Sequence, residues 1–422
     1  MTEEIKERIE TINRGEVPQG YKKTKVGIVP SEWEVSKLGA KMNIFRGASP
    51  RPKGDPKYYG GNIPRLMIED VTRDGKYAYP CIDSLTEEGA KKSRFLKKGS
   101  IVMSCSGTRV GIVGFLGVDA CIHDGFFGFS EFKNLNLDFI YFLFMHQAIL
   151  LQSSATTGGV FNNLTTDIMR ELLINFPPLP EQEKIAEILT TCDKVIELKE
   201  KLIAEKQRQK KWLMQNLLTG KKRLQGFDGE WKKVKLGKCI KEVNEKTTRN
   251  NQHEILSVTK NGIFKQSEHF NKQIASDNNT GYKILKKGNL VFSTMNLWMG
   301  SVDVLQEYDI GIVSPAYKTL DFIKEFMIID FGKHYMKSSF MVWIYNINSE
   351  QGASIVRKNL DMDGLLSTKI PIPTIQEQTA IATILSTADH EIDLLEKDVS
   401  EWRNKKKALM QLLLTGKVRV NE

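Results

Sequence analysis

An α+β fold is expected for this chain: two globular domains joined by two long antiparallel coiled-coil helices, in a tandem duplication with pseudo-twofold symmetry. Three observations lead there. The stretch EQEKIAEILTTCDKVIELKEKL…KKWLMQNLLTGK from Glu181 returns as EQTAIATILSTADHEIDLLEKD…KKALMQLLLTGK from Glu377, a gapless offset of 196 residues with more than half the positions matching. The phrase Glu32-Trp33-Glu34-Val35-Ser36-Lys37-Leu38-Gly39 returns as Glu230-Trp231-Lys232-Lys233-Val234-Lys235-Leu236-Gly237. Between them, Leu96-Lys97-Lys98-Gly99-Ser100-Ile101-Val102-Met103-Ser104 is paralleled by Leu285-Lys286-Lys287-Gly288-Asn289-Leu290-Val291-Phe292-Ser293, a glycine turn followed by an alternating strand. Repeats of this kind take precedence over local signals in deciding architecture.

The helices carry their own start and stop signals. Pro177-Pro178-Leu179-Pro180 and Pro371-Ile372-Pro373 give each an extended lead-in, and Thr-Gly at 219–220 and 415–416 supplies a left-handed cap. Steps of four and three mark a coiled-coil seam: Ile185, Leu189, Cys192, Ile196, Lys199, Ile203, Lys206, Lys210, Leu213, Leu217, matched by Ile381, Leu385, Ala388, Ile392, Leu395, Val399, Trp402, Lys406, Leu409, Leu413. The four lysines in it read either as snorkelling surface side chains or as polar seam positions that fix register. A helix of this length spans roughly 55 Å, which is a spacer's length.

In chain order, residues 1–30 form an amphipathic helix (2–14, with Ile5, Ile9 and Ile12 on one face) and a lead-in. This helix is expected near the C-terminal helix, where a preceding unit would end. Residues 31–176 are the first domain, 177–228 the first spacer helix, 229–370 the second domain and 371–422 the second spacer helix. Each domain should contain an apolar helix, Leu137 to Gln152 and Phe322 to Tyr345, among short strands.

Composition bounds the function. With 422 residues, 41% hydrophobic and 27% charged, the chain has the make-up of an ordinary multi-domain soluble protein. A net charge of +10 leans toward an anionic partner. The five cysteines (81, 105, 121, 192, 239) form no C-x-x-C pair, so neither zinc nor a disulfide framework is indicated and a cytoplasmic location is expected. The polar start MTEEIKERIE is not a secretory signal, and the apolar run Phe139–Leu151 is too short to span a bilayer.

The proline-preceded Glu-Gln-x-x-Ile-Ala-x-Ile-Leu starts at 181 and 377, the Leu-Leu-Thr-Gly-Lys ends, and the Pro30-Ser31-Glu32-Trp33 opening together resemble the DNA-sequence specificity subunit of type I restriction-modification systems, over essentially the whole chain. The resemblance implies two target recognition domains, each reading one half of a bipartite, asymmetric site on double-stranded DNA. It implies that the helices set the spacer and dock two methyltransferase subunits, alongside restriction and translocation subunits. S-adenosylmethionine, ATP and magnesium would belong to those partners, and no cofactor to this chain. The second domain departs from the pattern in lacking a proline before Glu230-Trp231.

No catalytic motif stands up. Asn175-Phe176-Pro177-Pro178 has the wrong order for an amino-methyltransferase N-P-P-[FY] and lacks an upstream glycine loop. No phosphate-binding G-x-x-x-x-G-K-[ST] occurs, Glu230-Trp231-Lys232 loses its nuclease-like E-x-K pattern in the counterpart Glu32-Trp33-Glu34, and the six histidines lack metal spacing. The expectation is therefore a non-enzymatic chain. A coiled-coil adaptor whose domains bind proteins or peptides is the alternative.

For DNA, side chains able to read base edges or hold phosphates cluster on loops. In the first domain these are Arg46, Ser49, Arg51 and Lys53; Ser104, Ser106, Thr108 and Arg109; and Thr157, Asn162 and Asn163. In the second they are Lys246, Arg249 and Asn250; Ser293, Thr294, Asn296 and Trp298; and Arg357 and Lys358. Taken singly, any of these could be a solvated turn or a cap. Trp33 and Trp231, at a repeated strand position, read as core anchors, whereas Trp298 faces Thr108-Arg109 in the alignment and is a candidate for recognition.

Overall fold

The structure is a computed structural model that describes residues 2–107, 110–155, 164–260, 262–269, 278–354 and 357–420. Two compact units result, and each takes in part of both long helices: Met1–Leu198 with Asp398–Glu422, and Lys199–Lys397.

In the first unit, short apolar strands, the central three buried on both faces, build a five-stranded sheet in the order Asn43–Arg46, Phe126–Ser130, Ile101–Ser104, Val113–Leu116, Tyr77–Ala78. A second sheet runs Asp83–Leu85, Tyr59–Leu66, Ala120–Ile122, Arg94–Leu96. In the second unit the corresponding sheet has the order Ile240–Val243, Tyr317–Phe322, Leu290–Ser293, Val302–Val304. The paired landmarks Ile101–Ser104 and Leu290–Ser293 thus occupy the same sheet position. Register agrees too: Gly128 lies opposite Phe45 and Val102, and Thr319 opposite Val243 and Val291.

Each domain closes at a neck. The strand after the repeated tryptophan pairs with the strand before the long helix, Glu34–Lys37 with Leu173–Phe176 and Lys232–Lys235 with Lys369–Ile372. The indole of fully buried Trp33 donates to Glu181 Oε2 at 3.0 Å, and that of Trp231 to Glu377 Oε2 at 3.1 Å. Both glutamates are buried, and each carboxylate also receives a two-pronged arginine. Arg419 donates to Glu181 at 2.7 and 3.0 Å, and Arg223 donates to Glu377 at 2.7 and 2.8 Å. The tryptophans are core anchors, as expected. The repeated Glu-Gln start gains a reason: Gln182 and Gln378 bond the backbone of the domain helix, accepting from Asn136 N and Ile328 N.

The long helices span Leu179–Leu217 and Ile375–Leu413, 39 residues each. Both begin two residues earlier than the repeat does, with Pro180 in the first turn, where its missing N–H leaves no bond unmade. Gly220 and Gly416 sit at φ 68° and 71° as left-handed caps. None of the twenty seam residues is exposed. Three of the four seam lysines pair across the helices: Lys206 with Glu391 at 2.6 Å and Lys210 with Asp389 in the second unit, Lys406 with Asp193 in the first. Four residues forward on one helix answer to two back on the other, so the packing is antiparallel. The register-fixing reading of these lysines is the one the geometry supports. The helix starts also enter the domain cores, Ile185, Ala186 and Leu189 in one and Ile381, Ala382 and Leu385 in the other. They are therefore part core and part spacer.

The N-terminal helix forms at Glu3–Asn13, capped by Thr2, and Asn13 accepts from Lys417 Nζ at 2.7 Å, placing it by the C-terminal tail as expected. The first domain helix runs Leu137–Ala155. Its expected counterpart from Phe322 to Tyr345 is corrected: Phe322 ends a strand, and two helices follow, Ile329–Tyr335 and Ser339–Ile347. Ser338 makes the break by accepting from Met341 N as a new N-cap. All five cysteines are free thiols.

Candidate nucleic-acid interface

Antiparallel pairing sends the ends of Asn43–Arg46 and Ile101–Ser104 and the start of Phe126–Ser130 to the same edge of the first unit's sheet. The loops leaving that edge are two of those singled out from sequence, and they converge on a turn that was not, His123-Asp124-Gly125. Arg46 Nε donates to the Asp124 carbonyl, Gly47 N to Phe126 O at 2.8 Å and Ala48 N to Ile122 O at 3.2 Å. Cys105 N donates to Gly125 O at 2.8 Å. Leu164 N, directly after the third candidate loop, donates to Cys105 O at 2.8 Å.

Gly47 is required at this junction, because a Cβ there would lie 2.2 Å from the His123 carbonyl oxygen. The Ser49 hydroxyl donates to Asp124 Oδ1 at 2.5 Å and accepts from Arg65 Nη2 at 2.7 Å. Arg65, only 5% exposed, also pairs with Asp83. The Ser49 hydrogen bond holds the Asp124 carboxyl below its usual range. Burial, with Arg65 nearby, pushes the His123 imidazole down, so it is neutral and accepts from Gly125 N through Nδ1. Arg51, 74% exposed, and Lys53 project outward from this fastened loop.

Not every candidate survives. Ser104 is corrected: it is fully buried and accepts from Ile112 N at 2.8 Å, because as a strand residue it points into the sheet. Ser293, its counterpart, is likewise buried and corrected for the same reason. Thr108, Arg109, Thr157, Asn162 and Asn163 lie outside the described residues, as does the side chain of Arg357. Ser106 is half-buried beside Gly125.

In the second unit the same sheet edge carries the loops after Val243 and Ser293. Lys246 and Arg249 are exposed. Asn250 is spent on structure, its Oδ1 accepting from the backbone of Asn251 and of buried Asn279. Thr294 and Asn296 are half-buried. Lys358 Nζ stands 5.0 Å from the Trp298 ring centroid, so these two candidates meet, and Trp298 keeps a buried indole N–H with no partner among the described residues. The sequence reading missed Arg65, His123, Asp124 and Asn279. Asp124-Gly125 was visible as a turn signal, but what rests on that turn was not.

A family profile described as "Type I restriction modification DNA specificity domain" matches residues 30–206 and 228–401, both copies of the repeat. The chain belongs to the type I restriction-modification DNA specificity family. Among relatives of this specificity family, the type I restriction enzyme MjaVIII specificity subunit of Methanocaldococcus jannaschii is 26% identical over 93% of this chain and 94% of its own. The putative MjaX specificity subunit of the same organism is 26% identical over 95% and 97%. Solved structures share the fold. An S subunit from M. genitalium aligns with TM-score 0.51 at 14% identity over 90% of this chain and 96% of that one. A chain from a study of complex assembly and conformational transition of the type I restriction-modification system gives 0.58 at 15% over 92% and 99%. As a specificity subunit the chain is non-catalytic, and cofactor chemistry belongs to the modification and restriction subunits of such systems. No helix among the described residues is long and apolar enough to cross a membrane.

Proposed function

We propose that this specificity subunit reads a bipartite, asymmetric sequence in double-stranded DNA, with residues 31–176 and 229–370 as target recognition domains for one half-site each. The observation that carries this reading is the repeated sheet edge from which exposed cationic loops project: Arg51 and Lys53 in one domain, Lys246 and Arg249 in the other. Loops fastened to a sheet present guanidinium and ammonium groups with little ordering cost, which suits phosphate positioning and base-edge reading. Residues 177–228 and 371–422 set the distance between half-sites and dock two methyltransferase subunits, and a restriction subunit joins them.

The test is twofold. Duplex binding by the chain with its methyltransferase partner should weaken steeply with salt, since each phosphate contact releases a counterion. Replacing residues 40–175 with the equivalent domain of a relative should change one half of the methylated site and leave the other intact. Salt-insensitive binding, or a change in both halves, overturns the reading.

A further inference from the structure

We infer that Asp124 is a specificity-determining residue of the first domain, whose outward carboxylate oxygen accepts a hydrogen bond from an exocyclic amino group of a base, cytosine N4 or adenine N6. The inference rests on the DNA-reading function proposed above and assigns one atom within it.

Three contacts fix Asp124, two at its backbone carbonyl and one at its carboxylate. Its backbone carbonyl is held by Arg46 Nε, with Cys105 Sγ at 3.7 Å, which sets the position of the turn. The inner oxygen, Oδ1, takes the Ser49 hydrogen at 2.5 Å. That hydrogen has nowhere else to go. Arg65 has donors only, so a hydroxyl 2.7 Å from its Nη2 must accept from it and spend its single hydrogen on Asp124. Arg65 is itself immobilised by burial and by Asp83. The rotamer of Asp124 is thus dictated from behind by a buried guanidinium, two residues away in the chain of bonds.

The outer oxygen, Oδ2, remains. Its nearest charged neighbour among the described residues is Arg51 Nη2 at 3.7 Å, beyond hydrogen-bonding reach, and the side chain is half exposed. An ionised carboxylate accepts and never donates. At a cationic loop facing an anionic duplex it repels phosphate, so its place there is accounted for by a base donor. In the major groove the amino groups of cytosine and adenine are those donors, and guanine O6 and thymine O4 are acceptors that a carboxylate rejects. Arg51, beside it with the opposite preference, suits the keto side of a neighbouring base.

The experiment uses the full chain with its methyltransferase partner and duplexes carrying the sequence it methylates, each with one base pair replaced. In the natural protein one position of the first domain's half-site demands cytosine or adenine, and its replacement weakens binding about 5- to 150-fold, as loss of one specific base contact does. Asp124→Ala brings that penalty to within about twofold, while penalties at the other positions and in the other half-site persist. Asp124→Asn is the sharper variant. Its carbonyl oxygen takes the Ser49 hydrogen and its NH2 turns outward, so the preference at that one position moves to guanine or thymine. Melting temperature and co-purification with the methyltransferase check that each variant is folded and assembled. If both variants keep the natural base preference at every position, the inference is wrong while DNA reading stands. If the natural complex discriminates at no position, DNA reading itself has failed.

Discussion

Changing Glu181 to alanine tests whether the three-way junction at the neck holds the first unit together. Glu181 is 2% exposed and accepts from Trp33 Nε1 and from two nitrogens of Arg419. Removing it leaves the indole N–H of a fully buried tryptophan unpaired, which costs about 1–3 kcal/mol. It also strips Arg419 of its principal counterion, though Glu32 at 3.0 Å still reaches one nitrogen. Breaking a buried ion pair from one side costs about 3–5 kcal/mol in total, the orphaned indole included. The residual Glu32 contact argues for the lower half of that range. For a unit of this size, about 3–4 kcal/mol lowers the melting temperature by roughly 6–16 °C. Differential scanning calorimetry of the purified chain reads this as an early transition. Glu377→Ala is the internal comparison and should shift the other unit's transition similarly, through Trp231 and Arg223. A double-mutant cycle of Glu181→Ala with Arg419→Ala should show coupling of about 1.5 kcal/mol or more. A loss under about 1 kcal/mol, or strict additivity, would refute the idea that this carboxylate joins the three segments.

Three further outcomes are expected. His334 is buried against Ser386 and Asp389 with Lys210, Lys333 and Lys337 nearby, and burial pushes its imidazole down to about 4. Below the usual value near 6.5 the unfolded chain binds a proton that the folded one does not, so stability falls as pH falls through this window, by about 2 kcal/mol between pH 7 and pH 5. In urea titrations across that range His334→Phe should flatten its part of the slope, and an unchanged slope would count against it. Gly47→Ala drives a Cβ into the His123 and Ile122 carbonyls, costing about 1–3 kcal/mol by forced backbone shifts. Methylated-adenine sequencing should show the first half-site degraded and the second preserved. Seven residues inserted after both Ala204 and Ser400 keep the heptad phase and add about 10.5 Å of helix. In sequenced host DNA the gap between half-sites should widen by about three base pairs, at about 3.4 Å each; an active variant with an unchanged gap would show that helix length does not set it.

The long helices, the seam and the paired domains were legible in the sequence because they are repeated and periodic. A heptad pattern states which face is buried, and a duplicated Glu-Trp states that the position is structural in both copies. Local turn chemistry was also readable, down to the left-handed glycines at 220 and 416. Long-range polar partnership was not. Nothing near Glu181 in the chain announces Trp33, 148 positions earlier, or Arg419, 238 later. The seam lysines could be counted, yet whether they snorkel or pair depended on Asp193, Asp389 and Glu391 arriving opposite them. Ser104 and Ser106 look alike in sequence, and only the end of the strand at Ser104, read from the folded sheet, buries one and leaves the other at the rim. The candidate surface shows the same division. Arg46, Ser49 and Arg51 declared themselves by residue type and loop context, while Asp124 and Arg65, which fix how those side chains point, gain their roles only where three strands end at one sheet edge. Sequence determined what repeats and which faces are apolar, since both are properties of neighbours along the chain. Tertiary structure decided which polar groups meet, because that depends on distances between segments that no local pattern encodes.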